Sequence, residues 1–268
     1  MGIARAPTDW HEGDRERRLQ ALDPAAREAH GRGQYVGQES FVTADEVVWL
    51  ARASKVAARS RVLDLCCGTG GPALYLARKT GCNLVGIDHS PEAVHLARLA
   101  ARMHRATLRT SFHQADATRL PVLGNFEAVL LLETMLAIPD KGALLQEVGR
   151  VLRPGGRFGL TLEEGQPLTP EERHLMPGGD AIYLIQENDL IALLESHGFR
   201  PVQVEDHTGQ HAAMAWRLTA AYNRHRGALC RAMGTEACNE MLAEHRQWVT
   251  WLTARRVRKL AMVAERVH

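Results

Sequence analysis

The stretch RVLDLCCGTGGPALYLARKTGCNLVGIDHS, residues 61–90, constrains the fold of this chain more than any other. An apolar strand pattern ends in a glycine-rich turn, a helix pattern follows, and a second strand pattern ends at Asp88. Such a turn presents backbone N–H groups and lets a ligand approach the main chain closely. An acidic residue 20 positions after Gly68 is suited to the two hydroxyl groups of a ribose. The stretch therefore predicts a site for a nucleoside cofactor.

Strand and helix patterns continue to alternate as far as residue 165, which predicts an α/β fold with a parallel sheet and helices on both faces. In such a sheet the ligand crevice lies beyond the carboxyl ends of the central strands. A mostly helical block then precedes RKLAMVAERV, which alternates like a strand and is expected to return to the sheet. We therefore predict four parts. They are an N-terminal lid segment (1–58), a cofactor-binding core (59–208), an inserted helical cap (209–254) and a final strand (255–268).

The composition excludes some classes of partner. The chain has 268 residues, 45% of them hydrophobic, and a formal net charge of +2, so neither nucleic acid nor an anionic membrane surface is an expected partner. No apolar run has the length of a signal peptide or membrane span. Five cysteines without metal-type spacing are typical of reduced thiols in a cytoplasmic protein. We therefore expect a cytoplasmic protein and predict no metal-ligating residues; the oligomeric state is left open.

The turn distinguishes between two nucleoside cofactors, a dinucleotide and S-adenosylmethionine (SAM). Its pattern is Asp64-x-x-x-Gly68-x-Gly70 rather than the full GxGxxG of a pyrophosphate site. SAM has no phosphate, and a carboxylate at position 64 would repel one. Asp116 follows the third strand pattern, where a side chain can accept from an adenine amino group. GRVLRPGGRF follows a fourth strand and helix. These features favour SAM.

Together these motifs resemble the class I SAM-dependent methyltransferases over about residues 60–165 and the final strand. VLDLCCGTG is similar to that family's first motif, although Cys66 stands where its first glycine usually lies. The resemblance implies a Rossmann-like methyltransferase sheet with SAM as cofactor. It also implies cofactor-binding roles for Tyr35 and Gln38 in the lid segment, Asp64, Gly68 and Gly70 at the methionine, Asp88 and His89 at the ribose, Asp116 and Ala117 at the adenine, and Glu133 between cofactor and acceptor.

The acceptor is expected to be a small molecule. LLETMLAIPDK, after the fourth strand, lacks the Asn/Asp-Pro-Pro-aromatic motif expected for methylation of base amines. Three segments, YVGQESF, TLEEGQPLTPEERHLMPGGD and RVRKLAMVAE, resemble more loosely those of bacterial C-methyltransferases of isoprenoid diphosphates such as isopentenyl diphosphate. That resemblance implies attack by an alkene carbon, deprotonation by a carboxylate, and a diphosphate that often binds with Mg²⁺. The candidate catalytic residues are Glu133, Glu163 and Glu164.

The predicted cap supplies the candidate substrate-binding residues, because arginine and histidine can form an anion site for a diphosphate. They are His207, His211, Trp216, Arg217, Tyr222, Arg224, Trp248 and Arg255. Solvated helix faces and a packed Trp248–Trp251 pair are the alternatives. Neighbouring strand residues face opposite ways, so at least one of Glu163 and Glu164 is expected at a solvated strand end. Two other functions stay open. They are N-methylation of a small amine such as sarcosine, and SAM binding without turnover.

Overall fold

The computed structural model describes residues 14–106, 109–121 and 124–267. Residues 1–13 of the predicted lid segment, residues 107 and 108 of the third predicted strand, and His268 lie outside the described residues. Among the helices described, none combines the length and apolar character needed to cross a membrane.

One seven-stranded mixed sheet forms the core, with strand order β3-β2-β1-β4-β5-β7-β6. The first five strands pair in parallel, whereas β7 runs antiparallel to both β5 and β6. The final strand thus returns to the sheet as the sequence predicts, in the opposite direction to its neighbours. The strands are β1 (Arg61–Leu65), β2 (Asn83–Asp88), β3 (Thr110–Gln114), β4 (Phe126–Leu132), β5 (Leu152–Glu164), β6 (Phe199–Asp206) and β7 (Arg258–Arg266).

Helices flank the sheet, and the residues of β1 alternate between two hydrophobic cores. Leu63 and Leu65 join one core, and Val62 joins the other, on the opposite face. This alternation is the consequence of strand pleating, and it confirms the predicted Rossmann-like sheet with helices on both faces. The helices are α1 (Asp14–His30), α2 (Ala44–Ala53), α3 (Gly71–Thr80), α4 (Pro91–Met103), α5 (Lys141–Val151), α6 (Pro170–Leu175), α7 (Glu187–Ser196), α8 (Thr208–Arg224), α9 (Arg226–Met233) and α10 (Thr235–Thr253).

A third hydrophobic core lies outside the sheet. Residues of α1, α8, α9 and α10 pack together there with the segment between residues 168 and 184. Trp248 and Trp251 belong to this core and contact each other edge to face, with ring centroids 5.5 Å apart. The three helices between β6 and β7 therefore pack on the N-terminal helix, which brings the predicted cap against the predicted lid segment.

Candidate active site

A cavity of about 670 Å³ opens at the carboxyl ends of β1 and β2. Its size is in the ordinary range for small-molecule sites. Three groups of residues meet around it. The N-terminal loop contributes Gly37, Gln38, Glu39 and Ser40; the glycine turn contributes Asp64, Cys66, Cys67, Gly68 and Thr69; and the end of β2 contributes Asp88, His89 and Ser90. Leu132, Thr134, Ala137 and Ala181 form a mainly apolar end beyond β4.

Asp88 fixes the glycine turn. Its Oδ2 accepts a hydrogen bond from the backbone N–H of Gly68 at 2.9 Å, and its Oδ1 accepts from the N–H of Ser90 at 2.9 Å. Cys66 has a φ of 56°, in the left-handed region that favours glycine. A residue with a side chain therefore holds a glycine conformation at the start of the turn, at a cost of about 1–2 kcal/mol.

The N-terminal loop lies directly on the glycine turn. A Cβ atom on Gly71 would lie 2.4 Å from the carbonyl oxygen of Val36, so only glycine permits this approach. Gln38 braces the loop from inside. Its Oε1 accepts from the N–H of Val36 at 2.6 Å, and its Nε2 donates to the carbonyl of Val42 at 2.8 Å. The loop therefore closes one wall of the cavity, and Gln38 holds that wall in shape.

Asp64 is buried in the cavity wall at the end of β1. Burial raises the pKa of its carboxyl group from 3.8 to about 7, and the nearby charge of Asp88 contributes to the increase. A carboxylate in such a place is stabilised by a cationic ligand. The ammonium group of a bound methionine moiety is a ligand of this kind.

The predicted cofactor residues divide into two groups. Gln38, Asp64, Gly68, Asp88 and His89 line the cavity, whereas Tyr35, Gly70, Asp116, Ala117 and Glu133 do not. Gly70 caps α3 with a φ of 81° and shapes the turn. Asp116 is exposed, and its Oδ1 accepts from both the N–H and the hydroxyl of Thr118. Tyr35 packs on His30 and on the cap core.

Glu133, Glu163 and Lys259 form a buried network behind the apolar end of the cavity, which we call the lysine network. The Nζ of Lys259 donates to Oε1 of Glu163 at 2.6 Å and lies 2.7 Å from Oε1 of Glu133. Burial opposes ionisation of Glu133, but Lys259 and His211 outweigh it, so the pKa of Glu133 lies below its usual value. Burial raises the pKa of Glu163, and Lys259 offsets this only in part.

The backbone at Glu133 directs its side chain away from the cavity. Its φ of 52° is unusual for a residue with a side chain, and its N–H donates to Oγ1 of Thr161 at 2.9 Å. Oε2 of Glu133 accepts from the N–H of Phe41 at 2.8 Å, which ties it to the N-terminal loop. Its chain neighbours Leu132 and Thr134 line the cavity, so the carboxylate stands one residue behind the wall.

The two glutamates that end β5 face different partners. Glu163 belongs to the lysine network, whereas Glu164 accepts from Nε of Arg258 at 2.7 Å and from the N–H of Glu187 at 3.2 Å. The opposite orientations follow from strand pleating. The expectation that at least one carboxylate is solvated is wrong, because both residues are buried and each has a cationic partner.

Glu46, His207 and His211 form a second buried cluster, which we call the histidine cluster. Nδ1 of His207 lies 3.0 Å from Oε1 of Glu46, and Nε2 of His211 lies 2.8 Å from Oε2. Nδ1 of His211 is 3.2 Å from Oε1 of Glu133, which connects this cluster to the lysine network. The side chain of Thr43 caps the start of α2 by accepting from the N–H of Glu46, whereas the Glu46 carboxylate is engaged by the two histidines.

None of the eight predicted substrate-binding residues is on the cavity wall, His207 and His211 included. Arg224 pairs with Glu28 and Arg255 with Asp206, both in exposed positions, and Arg217 donates to the carbonyl of Ala29. Trp216 is 64% exposed. Tyr222 and Trp248 belong to the cap core. Helix periodicity and charge alone could not distinguish these positions, because the groups that engage the three arginines lie on α1 and at the end of β6.

Sequence reasoning missed two residues of the site, Arg15 and Lys259. Arg15 lines the cavity and donates to Oε1 of Glu39 at 2.9 Å. Lys259 lies in the stretch interpreted only as the final strand, yet it is 1% exposed. Its position in the apolar run KLAMVA was the available signal, because a lysine inside a buried strand needs acidic partners.

The residues present fit SAM. The glycine turn offers close backbone approach, Asp88 lies where a ribose needs acceptors, and the buried Asp64 suits the charge of the methionine moiety. The adenine end is defined less directly, since Asp116 and Ala117 lie outside the cavity wall.

Comparison with known proteins agrees with this fit. Residues 62–156 match the family described as "Methyltransferase domain". A relative, methyltransferase GfsG of Streptomyces halstedii, is 41% identical over 106 residues, which is 39% of this chain and 38% of that protein. The curated relatives compared here are aligned over 34 to 62% of their own length.

Two solved structures have the same fold at low sequence identity. Geranyl diphosphate C-methyltransferase of Streptomyces coelicolor A3(2) is 16% identical with a TM-score of 0.70, over 92% of this chain and 98% of that one. Phosphoethanolamine N-methyltransferase 2 of Haemonchus contortus is 17% identical with a TM-score of 0.75, over 92% and 56%. These likenesses concern the fold alone. Residues 62–156 thus match a methyltransferase domain, and they lie in a fold shared with methyltransferases whose structures contain SAM or S-adenosylhomocysteine.

Proposed function

We propose that the chain methylates a small molecule, and that the acceptor is a prenyl diphosphate such as isopentenyl diphosphate, methylated at an alkene carbon. The observation that carries the proposal is the placement of two buried carboxylates, Glu133 and Glu163, directly behind an apolar end of the cavity. An apolar surface suits a hydrocarbon acceptor, and negative charge behind it stabilises a developing cation. The fold likeness to a geranyl diphosphate C-methyltransferase over nearly its whole length supports the proposal.

We place the acceptor at the apolar end of the cavity. Leu132, Ala137 and Ala181 would hold its hydrocarbon part, beyond the glycine turn that holds the cofactor. When bound, SAM supplies an electrophilic methyl group on its sulfonium. The N-terminal loop excludes water from this side, because Gln38 and Gly71 keep it against the turn. Exclusion of water and alignment of the two reactants account for most of the rate enhancement that such a site provides.

In the proposed reaction Glu133 acts as the base. The terminal alkene carbon forms a bond to the methyl carbon as the carbon–sulfur bond breaks, and the positive charge passes to the tertiary carbon of the acceptor. Loss of a proton from a neighbouring carbon then restores a double bond. That proton is far more acidic than a carboxylic acid, so a carboxylate with a low pKa is a sufficient base. Lys259 and His211 favour the ionised form of Glu133. Its chain neighbours Leu132 and Thr134 line the cavity, so proton transfer would require its side chain to turn from the lysine network toward that wall.

The diphosphate requires positive charge at the mouth of the site. Among the described residues on the cavity wall, Arg15 and His89 are the basic side chains, and Arg15 is paired with Glu39. A diphosphate would compete with Glu39 for Arg15 or bind together with Mg²⁺, which supplies the remaining charge. The proposal therefore includes a dependence of turnover on Mg²⁺.

N-methylation of a small amine is the second candidate. The fold likeness to a phosphoethanolamine N-methyltransferase supports it, and the same carboxylates would hold an ammonium group. The two reactions differ in their need for metal, because an amine acceptor carries no diphosphate.

The experiment is formation of S-adenosylhomocysteine from SAM with the purified chain. Isopentenyl, dimethylallyl and geranyl diphosphate are compared with sarcosine and phosphoethanolamine, each with and without Mg²⁺. The proposal predicts turnover with a prenyl diphosphate that requires Mg²⁺. Turnover with the amines alone would overturn the acceptor assignment. Binding of SAM without turnover on any acceptor would support a SAM-binding protein in place of an enzyme for these substrates.

A further inference from the structure

The histidine cluster has the composition and geometry of a metal site. His207 and His211 are four residues apart at the start of α8, so both rings lie on one face of the helix. Glu46 reaches them from α2, and all three residues are buried. Their ligand atoms all lie within 4.8 Å of one another. Separations of 2.8 and 3.0 Å between the Glu46 oxygens and the imidazole nitrogens are a few tenths of an ångström shorter than the about 3.3 Å between tetrahedral ligands with bonds of about 2.0–2.1 Å, so an ion would require only a small outward movement of these side chains.

The outer nitrogen of each imidazole also faces a carboxylate. Nε2 of His207 lies 3.3 Å from Oε2 of Glu205, and Nδ1 of His211 lies 3.2 Å from Oε1 of Glu133. A metal-bound histidine almost always turns its second nitrogen to a carboxylate, a backbone carbonyl or water, which orients the ring. Both histidines of the cluster have a carboxylate in this position.

Each of the two rings lies between two carboxylates, so a single N–H cannot satisfy both of its contacts. A neutral imidazole carries one N–H. When His207 and His211 direct that N–H to Glu205 and Glu133, their inner nitrogens present lone pairs to the oxygens of Glu46. Lone pairs at 2.8–3.0 Å repel unless a cation lies between them. One divalent ion or two added protons satisfies this requirement.

The charges of the neighbouring network also balance with a divalent ion. Glu46, Glu133 and Glu163 together carry three negative charges when ionised, and Lys259 contributes one positive charge beside them. A divalent cation at the histidine cluster brings the sum to zero, which lowers the cost of burying the carboxylates.

We propose that Glu46, His207 and His211 bind a divalent transition-metal ion, with Zn²⁺ as the preferred ion. Two imidazole nitrogens and one carboxylate oxygen are typical zinc ligands, whereas Mg²⁺ prefers oxygen ligands. The site is therefore distinct from the Mg²⁺ that would accompany a diphosphate. Because it joins α2 to α8, the ion fastens the N-terminal segment to the cap. This inference does not rest on the identity of the acceptor.

The test uses the whole chain after removal of metals with a chelator. Zn²⁺ is added, and bound metal per chain and the melting temperature are measured, with Mg²⁺ as a parallel probe. We expect one Zn²⁺ per chain, a melting temperature that rises with Zn²⁺ concentration, and no such effect of Mg²⁺. Glu46→Gln keeps hydrogen bonds to both rings but removes the anionic ligand. This variant and His207→Gln should bind Zn²⁺ about 100-fold more weakly or worse.

His245→Gln is the matched control, because His245 is a buried cap histidine whose Nδ1 bonds the carbonyl of Met241, outside the cluster. It should bind Zn²⁺ as the unmodified chain does. Co²⁺ added to the unmodified chain gives a second readout that needs no variant, since a site of this donor set produces visible absorption bands. Absence of stoichiometric Zn²⁺ and of Co²⁺ bands, or unchanged Zn²⁺ binding by both cluster variants, would overturn the proposal.

Discussion

Lys259 lies directly opposite Glu163 in the antiparallel pairing of β7 with β5, and its Nζ is 2.6 Å from Oε1 of Glu163. This register places a fully buried lysine between the carboxylates of two different strands, because the same Nζ also lies 2.7 Å from Oε1 of Glu133. Burial opposes its charge, but the two glutamates outweigh this and raise the pKa of Lys259. The return of the final strand to the sheet therefore completes the lysine network.

Replacement of Lys259 by methionine should destabilise the chain strongly. It leaves Glu133 and Glu163 buried without their cation, and removal of one partner of a buried ion pair costs about 3–5 kcal/mol. The free energy of unfolding by urea measures this. Arg224→Met is the control, because the Arg224–Glu28 pair is exposed and should contribute less than about 1 kcal/mol. Equal losses in the two variants would show that the lysine network does not stabilise the fold.

Replacement of Gly71 by alanine should weaken SAM binding. The added Cβ would lie 2.4 Å from the carbonyl oxygen of Val36, so the N-terminal loop must move away from the glycine turn. We expect a dissociation constant for SAM at least about tenfold higher, equivalent to about 1.4 kcal/mol, by isothermal titration calorimetry. Gly227→Ala, at an exposed position of α9, is the control. An unchanged SAM affinity in Gly71→Ala would contradict closure of the cavity by this loop.

The stability of the cofactor-free chain should fall with pH because of Asp64. Its folded pKa, about 7, lies above the ordinary value of 3.8. The protonated carboxyl therefore contributes stability that is fully present below pH 3.8 and is lost as the pH rises through about 7. Asp64→Asn does not titrate. We therefore subtract the free energy of unfolding of the unmodified chain from that of Asp64→Asn at each pH. This difference should rise by about 4 kcal/mol as the pH increases from below 3.8 to 8. An unchanged difference across this range would contradict the raised pKa.

Cys66 should tolerate glycine better than its neighbour does. With a φ of 56°, Cys66→Gly relieves about 1–2 kcal/mol of backbone strain, which offsets the lost side-chain packing. We expect a free energy of unfolding within about 1 kcal/mol of the unmodified chain and retained SAM binding. Cys67 is buried at 8% exposure and is not among the residues with positive φ in the described ranges. Cys67→Gly should therefore lose about 2 kcal/mol or more; similar losses at both positions would contradict strain at Cys66.

The sheet was predictable because its signals are local. The turn between Asp64 and Gly70 and the strand that ends at Asp88 each combine a period, a glycine and an acidic residue within one short segment. The buried networks were not predictable, because their members are far apart in sequence. From the sequence, Glu46 is an ordinary residue of the first turn of a helix. Its contacts with His207 and His211 form only when α8 lies beside α2. The contacts of the arginines were not predictable for the same reason, since Arg217 and Arg224 contact α1 and Arg255 contacts the end of β6.

The central claim is tested most directly by the fate of a labelled methyl group. The chain is incubated with SAM carrying a ¹³C methyl group, isopentenyl diphosphate and Mg²⁺, and the product is examined by nuclear magnetic resonance. We expect the ¹³C label in a methyl group bonded to carbon, in a product whose double bond has shifted. We also expect Glu133→Gln to form at least about 100-fold less of this product. Parallel incubations contain sarcosine or phosphoethanolamine in place of isopentenyl diphosphate. Transfer of the label only to the nitrogen of these amines, or full product formation by Glu133→Gln, would contradict C-methylation with Glu133 as the base.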